Sequence, residues 1–115
     1  MVSQEDKAKD RKGNLLKTPV KQAAESLGLP VRSVHRLRKD EELLAYLKEL
    51  KPDCIVVAAF GQILPKELLE LPCYGCVNIH ASLLPLYRGA SPIQQAILHR
   101  DKETGISTML MAEGL

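Results

Sequence analysis

Two polar side chains on one short apolar segment are the strongest candidates for chemistry in this sequence. Residues 76–80 read Cys-Val-Asn-Ile-His, and because side chains alternate faces along a strand, Asn78 and His80 point the same way. An Asn amide can donate a hydrogen bond to a developing oxyanion, and a His can exchange a proton near neutral pH. The pair therefore suits acyl transfer through a tetrahedral intermediate. The alternative is a pair whose polar groups are satisfied by nearby backbone.

A loop with apolar and aromatic groups follows this segment directly. Residues 81–89 read Ala-Ser-Leu-Leu-Pro-Leu-Tyr-Arg-Gly, with a single cation. Such a loop could form the wall of a pocket for a flat, partly apolar ligand, with backbone amides facing the ligand's polar edges. It could equally be a surface crossover between two elements.

Helix signals occur at regular intervals around these segments. One predicted helix has Thr18 as its N-cap, Pro19 at its first position and Gly28 placed to end it. The next has Asp40 as its N-cap and is closed by Pro52. Two shorter helices are predicted over 65–71 and 92–99.

Apolar runs between the helices predict strands. Residues 54–59 form a continuous run rich in β-branched side chains, which is typical of a parallel strand covered by helices on both faces. Residues 76–80 and 106–111 predict further strands. Helices and strands therefore alternate, which implies an α/β fold with a mostly parallel sheet. In such sheets ligands bind beyond the carboxyl ends of the strands, which directs attention to 60–65 and 78–89.

Length and composition narrow the classes of protein. The 115 residues, of which 45% are hydrophobic, fit one small domain or part of a larger one. Neither a membrane span nor a secretory leader is predicted, so we expect a cytoplasmic protein. The three cysteines cannot all pair within one chain, which favours a reducing compartment. Cys73 and Cys76 have C-x-x-C spacing but lack a second ligand pair, so we expect no metal.

The positive charge lies at the N-terminal end. Net charge is only +2, yet residues 1–21 contain six basic side chains against three acidic ones. Residues 4–17 are polar and contain Gly13 and Asn14, which predicts a mobile loop. This loop is either a solvated surface or a contact for phosphate groups.

Several segments together resemble the signature of the folate-dependent formyltransferases. Residues 78–85, Asn-Ile-His-Ala-Ser-Leu-Leu-Pro, are followed by Tyr-Arg-Gly at 87–89, Ser-Pro-Ile-Gln at 91–94 and Glu-Thr-Gly at 103–105. Upstream, Ala-Phe-Gly-Gln-Ile-Leu-Pro at 59–65 is similar to the pterin-pocket loop of that family. Pro-Val-Lys at 19–21, after a basic loop, is similar to the branch that acts on methionyl-tRNA. The resemblance covers essentially the whole chain.

This resemblance implies a reaction and assigns residues to it. A formyl group would pass from 10-formyltetrahydrofolate to the amino group of methionine on initiator tRNA. Asn78 would stabilise the tetrahedral oxyanion, and His80 would assist proton transfer. The matches to the folate-binding stretch are Ser82, Leu83, Leu84 and Pro85, and those to the pterin-pocket loop are Phe60, Gln62, Ile63 and Leu64. Arg11, with Lys12 beside it, falls in the loop that approaches the tRNA acceptor stem.

The chain also departs from the family pattern. Glu5, Asp10 and Lys12 stand in the basic loop where a Pro and glycines are usual, and Leu86 occupies a position that is commonly basic. Residues 1–115 match a partial catalytic domain of an incomplete doubly wound, Rossmann-like fold, without its first strand-helix unit and its C-terminal part. The catalytic Asp of the family is expected beyond Leu115. We therefore expect this chain alone to be inactive.

Two other interpretations remain open. The acceptor could be glycinamide ribonucleotide or an amino sugar, as in other folate-dependent formyltransferases, although the Pro-Val-Lys segment and the basic loop favour tRNA. The chain could also be a non-catalytic remnant, or an interaction module that keeps the core of the sheet. No oligomeric state follows from the sequence, and a full-length protein is expected to be a monomer.

Overall fold

The computed structural model describes residues 1–7 and 9–112. Its elements are, in order, β1 (Val2–Gln4), α1 (Pro19–Ser26), β2 (Arg32–Val34), a 3-10 helix (Leu37–Lys39), α2 (Glu41–Leu50), β3 (Ile55–Ala58), α3 (Lys66–Glu70), β4 (Cys76–His80), α4 (Pro92–Leu98) and β5 (Ser107–Leu110). The chain divides into two units, Met1–Glu49 and Leu50–Leu115. Among the residues described, no helix combines the length and the apolar character needed to span a bilayer.

The helices of the first unit begin and end at the predicted residues. The Thr18 hydroxyl accepts the backbone N–H of Lys21 at 3.2 Å and caps α1. Gly28 follows α1 with a φ of 71°, a left-handed conformation that glycine adopts without a steric penalty. The Asp40 carboxylate accepts the N–H of Leu43 at 3.0 Å and caps α2. Both predicted N-caps are confirmed.

The strands of the first unit form a parallel pair. In their register Val2 lies beside Arg32 and Gln4 beside Val34, and helix α1 connects the two strands. The unit is therefore a parallel strand-helix-strand connection. The buried apolar side chains of this unit are Ala24, Val34, Leu37, Leu43 and Leu44.

The second unit contains a three-stranded sheet in the order β3-β4-β5. β3 pairs with β4 in parallel, whereas β5 pairs with β4 antiparallel. With the parallel pair of the first unit, these pairings confirm an α/β, Rossmann-like fold with mostly parallel pairing. Strand β4 is the central strand, so its side chains are flanked by neighbours on both sides.

The two faces of this sheet are covered unequally. On one face Cys76 is only 1% exposed, and its thiol lies 3.5 Å from the carbonyl oxygen of Leu68 in α3. On the opposite face Val56 is 64% exposed, and Ala58 is exposed as well. Helix α3 thus covers the face that carries Cys76, whereas in this 115-residue chain these two side chains of the 54–59 run are without the cover that is typical of such a strand on its second face.

Candidate active site

Strand β4 carries Asn78 and His80 on the covered face of its sheet. In the register Asn78 lies beside Val57 of β3, and His80 lies beside Ser107 of β5. Both side chains are half-buried. Cys76, two residues before Asn78, is buried on the same face. His80 is the last residue of the strand and so lies at its carboxyl end. The strand therefore holds the pair at the sheet edge where ligands bind in open α/β sheets.

The imidazole of His80 is oriented by the loop that follows the strand. Its Nε2 lies 2.6 Å from the carbonyl oxygen of Tyr87. A carbonyl oxygen can only accept, so Nε2 is the nitrogen that donates the proton. Within the described part of the chain Nδ1 has no partner. The alternative interpretation, in which nearby backbone satisfies the polar groups of the pair, therefore holds for His80 only at Nε2.

The side-chain amide of Asn78 stays available. It makes no hydrogen bond to any residue in 1–7 or 9–112, and no buried side-chain N or O atom in those ranges lacks a partner. The Asn78 amide is therefore accessible rather than stranded in the core. The covered face of β4 presents a hydrogen-bond donor at Asn78 and, two residues later, a His80 ring nitrogen, Nδ1, without a partner in the described part of the chain.

Two hydroxyl groups hold the loop after β4 in shape. Ser82 is fully buried, and its hydroxyl donates to the carbonyl oxygen of Leu86 at 2.6 Å. The Ser107 hydroxyl donates to the carbonyl oxygen of Ser82 at 2.7 Å and accepts the N–H of Leu84 at 3.1 Å. The Leu84–Pro85 peptide bond is cis. In this stretch, matched to folate binding, the Ser82 hydroxyl is thus committed to the loop itself.

Leu83 is presented differently from its neighbours. Its side chain is 44% exposed. A Cβ atom built on Gly105 would lie 2.7 Å from Leu83 Cδ2, closer than such atoms approach in proteins. The glycine of the Glu-Thr-Gly segment therefore leaves the space that the Leu83 side chain occupies.

The loop after β3 starts at the same edge of the sheet, because β3 and β4 are parallel neighbours. Its first residue, Ala59, has a φ of 47°, which turns the chain sharply out of the strand. Leu64 is buried at 5% exposure, whereas Ile63 is 58% exposed. The Leu64 side chain therefore belongs to the core, and its backbone remains the part that could line a pocket. Phe60 and Gln62 are half-buried.

In the first unit, the basic loop contains a turn that the sequence did not predict. The Asp10 carboxylate accepts the backbone N–H groups of Lys12 at 2.8 Å and of Asn14 at 2.9 Å. The N–H of Asn14, followed by the other donors of the turn, lowers the pKa of Asp10 by favouring its charged form. Arg11 and Lys12 are exposed at the tip. Asp10, one of the departures from the family pattern, is thus the residue that shapes the loop.

Three residues that shape the site were not assigned by the sequence. Ser107 lies in a predicted strand where a Ser carries no special signal, and Tyr87 acts through its backbone carbonyl. Asp101 accepts a hydrogen bond from the Tyr87 hydroxyl, although the two are far apart in the sequence. The Tyr-Arg-Gly motif included Tyr87, but it did not predict the contacts that Tyr87 makes with His80 and Asp101. The acidic residue expected beyond Leu115 lies outside the described residues.

The three cysteines are not part of the candidate pair Asn78 and His80. Cys54 and Cys73 are exposed, Cys76 is buried, and all three are free. Burial raises the pKa of the Cys76 thiol, which packs as a small apolar group. In the parts of the chain that the structure describes, no group of three or more His, Cys, Asp or Glu side chains is arranged to hold a metal ion.

The fold is thus an α/β sheet that carries an accessible amide and an imidazole on one face of strand β4. The chain belongs to the formyl transferase family, whose sequence profile matches residues 1–115.

Two curated relatives show which members of the family the chain is similar to. The chain is 54% identical over 114 residues to the methionyl-tRNA formyltransferase of Halothermothrix orenii, which covers 99% of this chain and 36% of that protein. It is 55% identical over 115 residues to the protein of the same name from Lysinibacillus sphaericus, covering 100% of this chain and again 36% of the relative. The chain thus spans little more than a third of the length of these relatives.

Two solved structures with a similar fold are named as enzymes that formylate glycinamide ribonucleotide. The phosphoribosylglycinamide formyltransferase of Anaplasma phagocytophilum superposes with a TM-score of 0.68 at 30% identity, over 82% of this chain and 47% of that one. Glycinamide ribonucleotide transformylase 1 from Geobacillus kaustophilus gives 0.69 at 28% identity, over 84% and 54%. These likenesses support the Rossmann-like formyltransferase fold.

Proposed function

We propose that this chain carries the reacting pair of an enzyme that formylates methionyl initiator tRNA in the cytoplasm, with 10-formyltetrahydrofolate as the donor. The names of relatives that are 54% and 55% identical support the acceptor. The observation that carries the proposal is the placement of Asn78 and His80 on one face of β4, each with an unpaired polar atom.

The chemistry divides between these two side chains. The methionine amino nitrogen attacks the formyl carbon, and the formyl oxygen becomes an oxyanion. The Asn78 amide donates a hydrogen bond to that oxygen, where the charge develops. Nδ1 of His80 takes the proton that the attacking amine loses. When the bond from the formyl carbon to N10 of the folate breaks, the same proton passes to N10.

The donor would bind between the loops that follow β3 and β4. Ile63 and Leu83 expose apolar surface for the flat ring system, and the backbone of residues 62–64 offers polar groups to its edge. Ser82, Leu84 and Pro85 contribute the shape of the wall. Phe60 and Gln62 complete the loop on the β3 side.

The acceptor tRNA would be contacted by the basic loop. Arg11 and Lys12 stand at the exposed tip of the turn that Asp10 builds. Neither is drawn into an ion pair within the described residues, so both guanidinium and ammonium groups are available to phosphates. This loop distinguishes a tRNA acceptor from a small one.

An acceptor comparison tests the proposal. The complete polypeptide that carries this sequence is supplied with 10-formyltetrahydrofolate and, in turn, methionyl initiator tRNA, glycinamide ribonucleotide or an amino-sugar nucleotide. We expect formylation of the methionyl-tRNA with kcat/KM at least a hundredfold above the others, the discrimination that a few well-placed contacts supply. Preferential formylation of glycinamide ribonucleotide would instead agree with the activity named for the two solved structures of similar fold, and would overturn the acceptor proposed here.

A further inference from the structure

We propose that Tyr87 is a positioning residue for His80, and that Asp101 holds Tyr87 in the position this requires. The inference rests on the proposed function, because it assumes that His80 takes the proton. The Tyr87 carbonyl fixes which nitrogen of His80 is protonated, and the Tyr87 hydroxyl fixes the carbonyl. Together these two contacts connect the loop after β4 to the end of helix α4.

The contact to His80 selects one tautomer. With Nε2–H donated to the Tyr87 carbonyl at 2.6 Å, Nδ1 is left without a proton and can accept one. The other tautomer would place a proton on Nδ1 and set a nitrogen lone pair against the carbonyl lone pairs. It could neither keep the contact nor act as a base at Nδ1.

The backbone of Tyr87 is in a conformation that needs support. Its φ is 56°, in the left-handed region that a bulky residue rarely adopts. On its N-terminal side, the Leu86 carbonyl is held by the buried Ser82 hydroxyl at 2.6 Å, and the Leu86 N–H donates to the Leu83 carbonyl at 3.1 Å. These bonds fix the backbone up to Leu86. They do not fix the Tyr87 carbonyl, so its orientation depends on the contacts of the Tyr87 side chain.

Asp101 supplies that hold from a rigid position. The Tyr87 hydroxyl donates a hydrogen bond to the Asp101 carboxylate. This hydrogen bond raises the pKa of the Tyr87 hydroxyl by favouring its protonated form. The N–H of Asp101 donates to the Ala96 carbonyl at 3.0 Å, which closes the C-terminal turn of α4 with Arg100 at a φ of 53°. The anchor is therefore part of the helix end.

A second contact restrains the tyrosine ring. The ring centroids of Tyr87 and His99 are 5.6 Å apart with a tilt of 39°. His99 itself donates from Nδ1 to the Gln95 carbonyl at 2.9 Å, so its ring is fixed to the last turn of α4. Tyr87 is thus held at its hydroxyl and along its ring, while its carbonyl points at His80.

The test reads the tautomer and the rate separately in the complete polypeptide. Nitrogen chemical shifts of 15N-labelled histidine report which ring nitrogen of His80 carries the proton. Steady-state formylation of methionyl-tRNA reports kcat and KM. Tyr87→Phe removes only the hydroxyl, and Tyr74→Phe removes an equivalent hydroxyl from an exposed side chain as the matched control.

We expect Tyr87→Phe to shift part of His80 to the Nδ1–H tautomer and to lower kcat roughly fivefold, the factor of about one hydrogen bond, with KM unchanged. Tyr74→Phe should change neither quantity. At the anchor, Asp101→Asn retains an oxygen that accepts from the hydroxyl and should keep the parent tautomer. Asp101→Leu loses the acceptor and should match Tyr87→Phe. Because Asp101 is exposed, we expect its variants to fold even if the Tyr87 variant does not.

An unchanged tautomer and kcat in both Tyr87→Phe and Asp101→Leu would overturn the inference, as would Asp101→Asn behaving like Asp101→Leu. A failure of the proposed function looks different. The parent would then formylate another acceptor or none, while the tautomer shift in Tyr87→Phe would still appear.

Discussion

The loop after β1, residues 5–17, and the loop after β4, residues 81–91, each leave the carboxyl end of a parallel strand. In the first, the restraining groups are carboxylates: Asp6 accepts the N–H of Thr18 at 2.9 Å and the Lys21 ammonium at 3.3 Å, and Asp10 closes the turn. In the second, the restraints are mostly neutral hydroxyl-to-backbone bonds, made by Ser82 and Ser107.

This difference follows from what each loop presents. Loop 5–17 displays cations on an exposed turn, where bonds to charged groups are strong but respond to pH and to salt. Loop 81–91 borders Asn78 and His80, and the reaction proposed for them needs a geometry held within a fraction of an ångström. The part-buried hydrogen bonds of Ser82 and Ser107 give that constancy because neither partner titrates in the physiological range and neither carries a charge that salt could screen. The four predictions below test this contrast.

The largest effect is expected at the pair beside loop 81–91. Replacing Asn78 with Ala removes the donor to the developing oxyanion and should lower kcat roughly a hundredfold to a thousandfold in the complete polypeptide. Gln95→Ala, which removes an exposed amide from α4 outside the signature segments, is the matched control and should leave kcat unchanged. Formylation by the Asn78 variant within threefold of the parent would contradict the role assigned to this amide.

The next effect concerns the neutral restraints. Ser107→Ala leaves the N–H of Leu84 and the carbonyl of Ser82 without their hydroxyl partner and should lower the free energy of unfolding by about 1 to 3 kcal/mol. Thr108→Ala, on the exposed face of the same strand, should change it by less than about 0.5 kcal/mol. Urea unfolding of both variants makes the measurement. Equal losses would mean that the Ser107 hydroxyl does not hold the loop.

Local signals predicted the elements well. Thr18 and Asp40 are short polar side chains in front of helical apolar patterns, and each accepts the N–H three residues later. That Asn78 and His80 share a face required only the two-residue repeat of a strand. These features depend on neighbours in sequence, so the sequence contains what is needed to predict them.

Other features depend on contacts that are distant in the sequence. The exposure of Val56 reflects which face α3 covers, and an apolar run alone does not say this. The tautomer of His80 depends on a carbonyl that Tyr87 presents from a left-handed backbone, held by Asp101. Asp10 read as a departure from the family pattern because its role as an acceptor appears only once the turn has formed.

A smaller effect is expected at the cations of loop 5–17. Replacing Arg11 and Lys12 together with Ala should weaken binding of initiator tRNA and reduce the slope of log K against log salt by about 1 for each lost phosphate contact. Folate affinity should not change. The control is Arg38→Ala with Lys39→Ala, an exposed pair of the same residue types on the 3-10 helix. A salt slope that is equal in both double variants would favour a purely solvated loop.

The smallest effect is expected on acidification, to which the two loops should respond differently. The folded state lowers the pKa of Asp10, chiefly through the N–H of Asn14, so the turn is fully stabilised above the ordinary aspartate pKa of about 3.9 and loses that support as pH falls through the lowered value. In an NMR titration the amide protons of Lys12 and Asn14 should therefore shift with a midpoint below the ordinary value. The Leu84 amide, donated to the Ser107 hydroxyl, should stay constant over the same range. In Asp10→Asn the acceptor remains but does not titrate, so the shift should vanish from Lys12 and Asn14. A midpoint at or above the ordinary aspartate pKa would mean that Asp10 does not hold the turn, and a parallel shift at Leu84 would remove the distinction between the charged and the neutral loop.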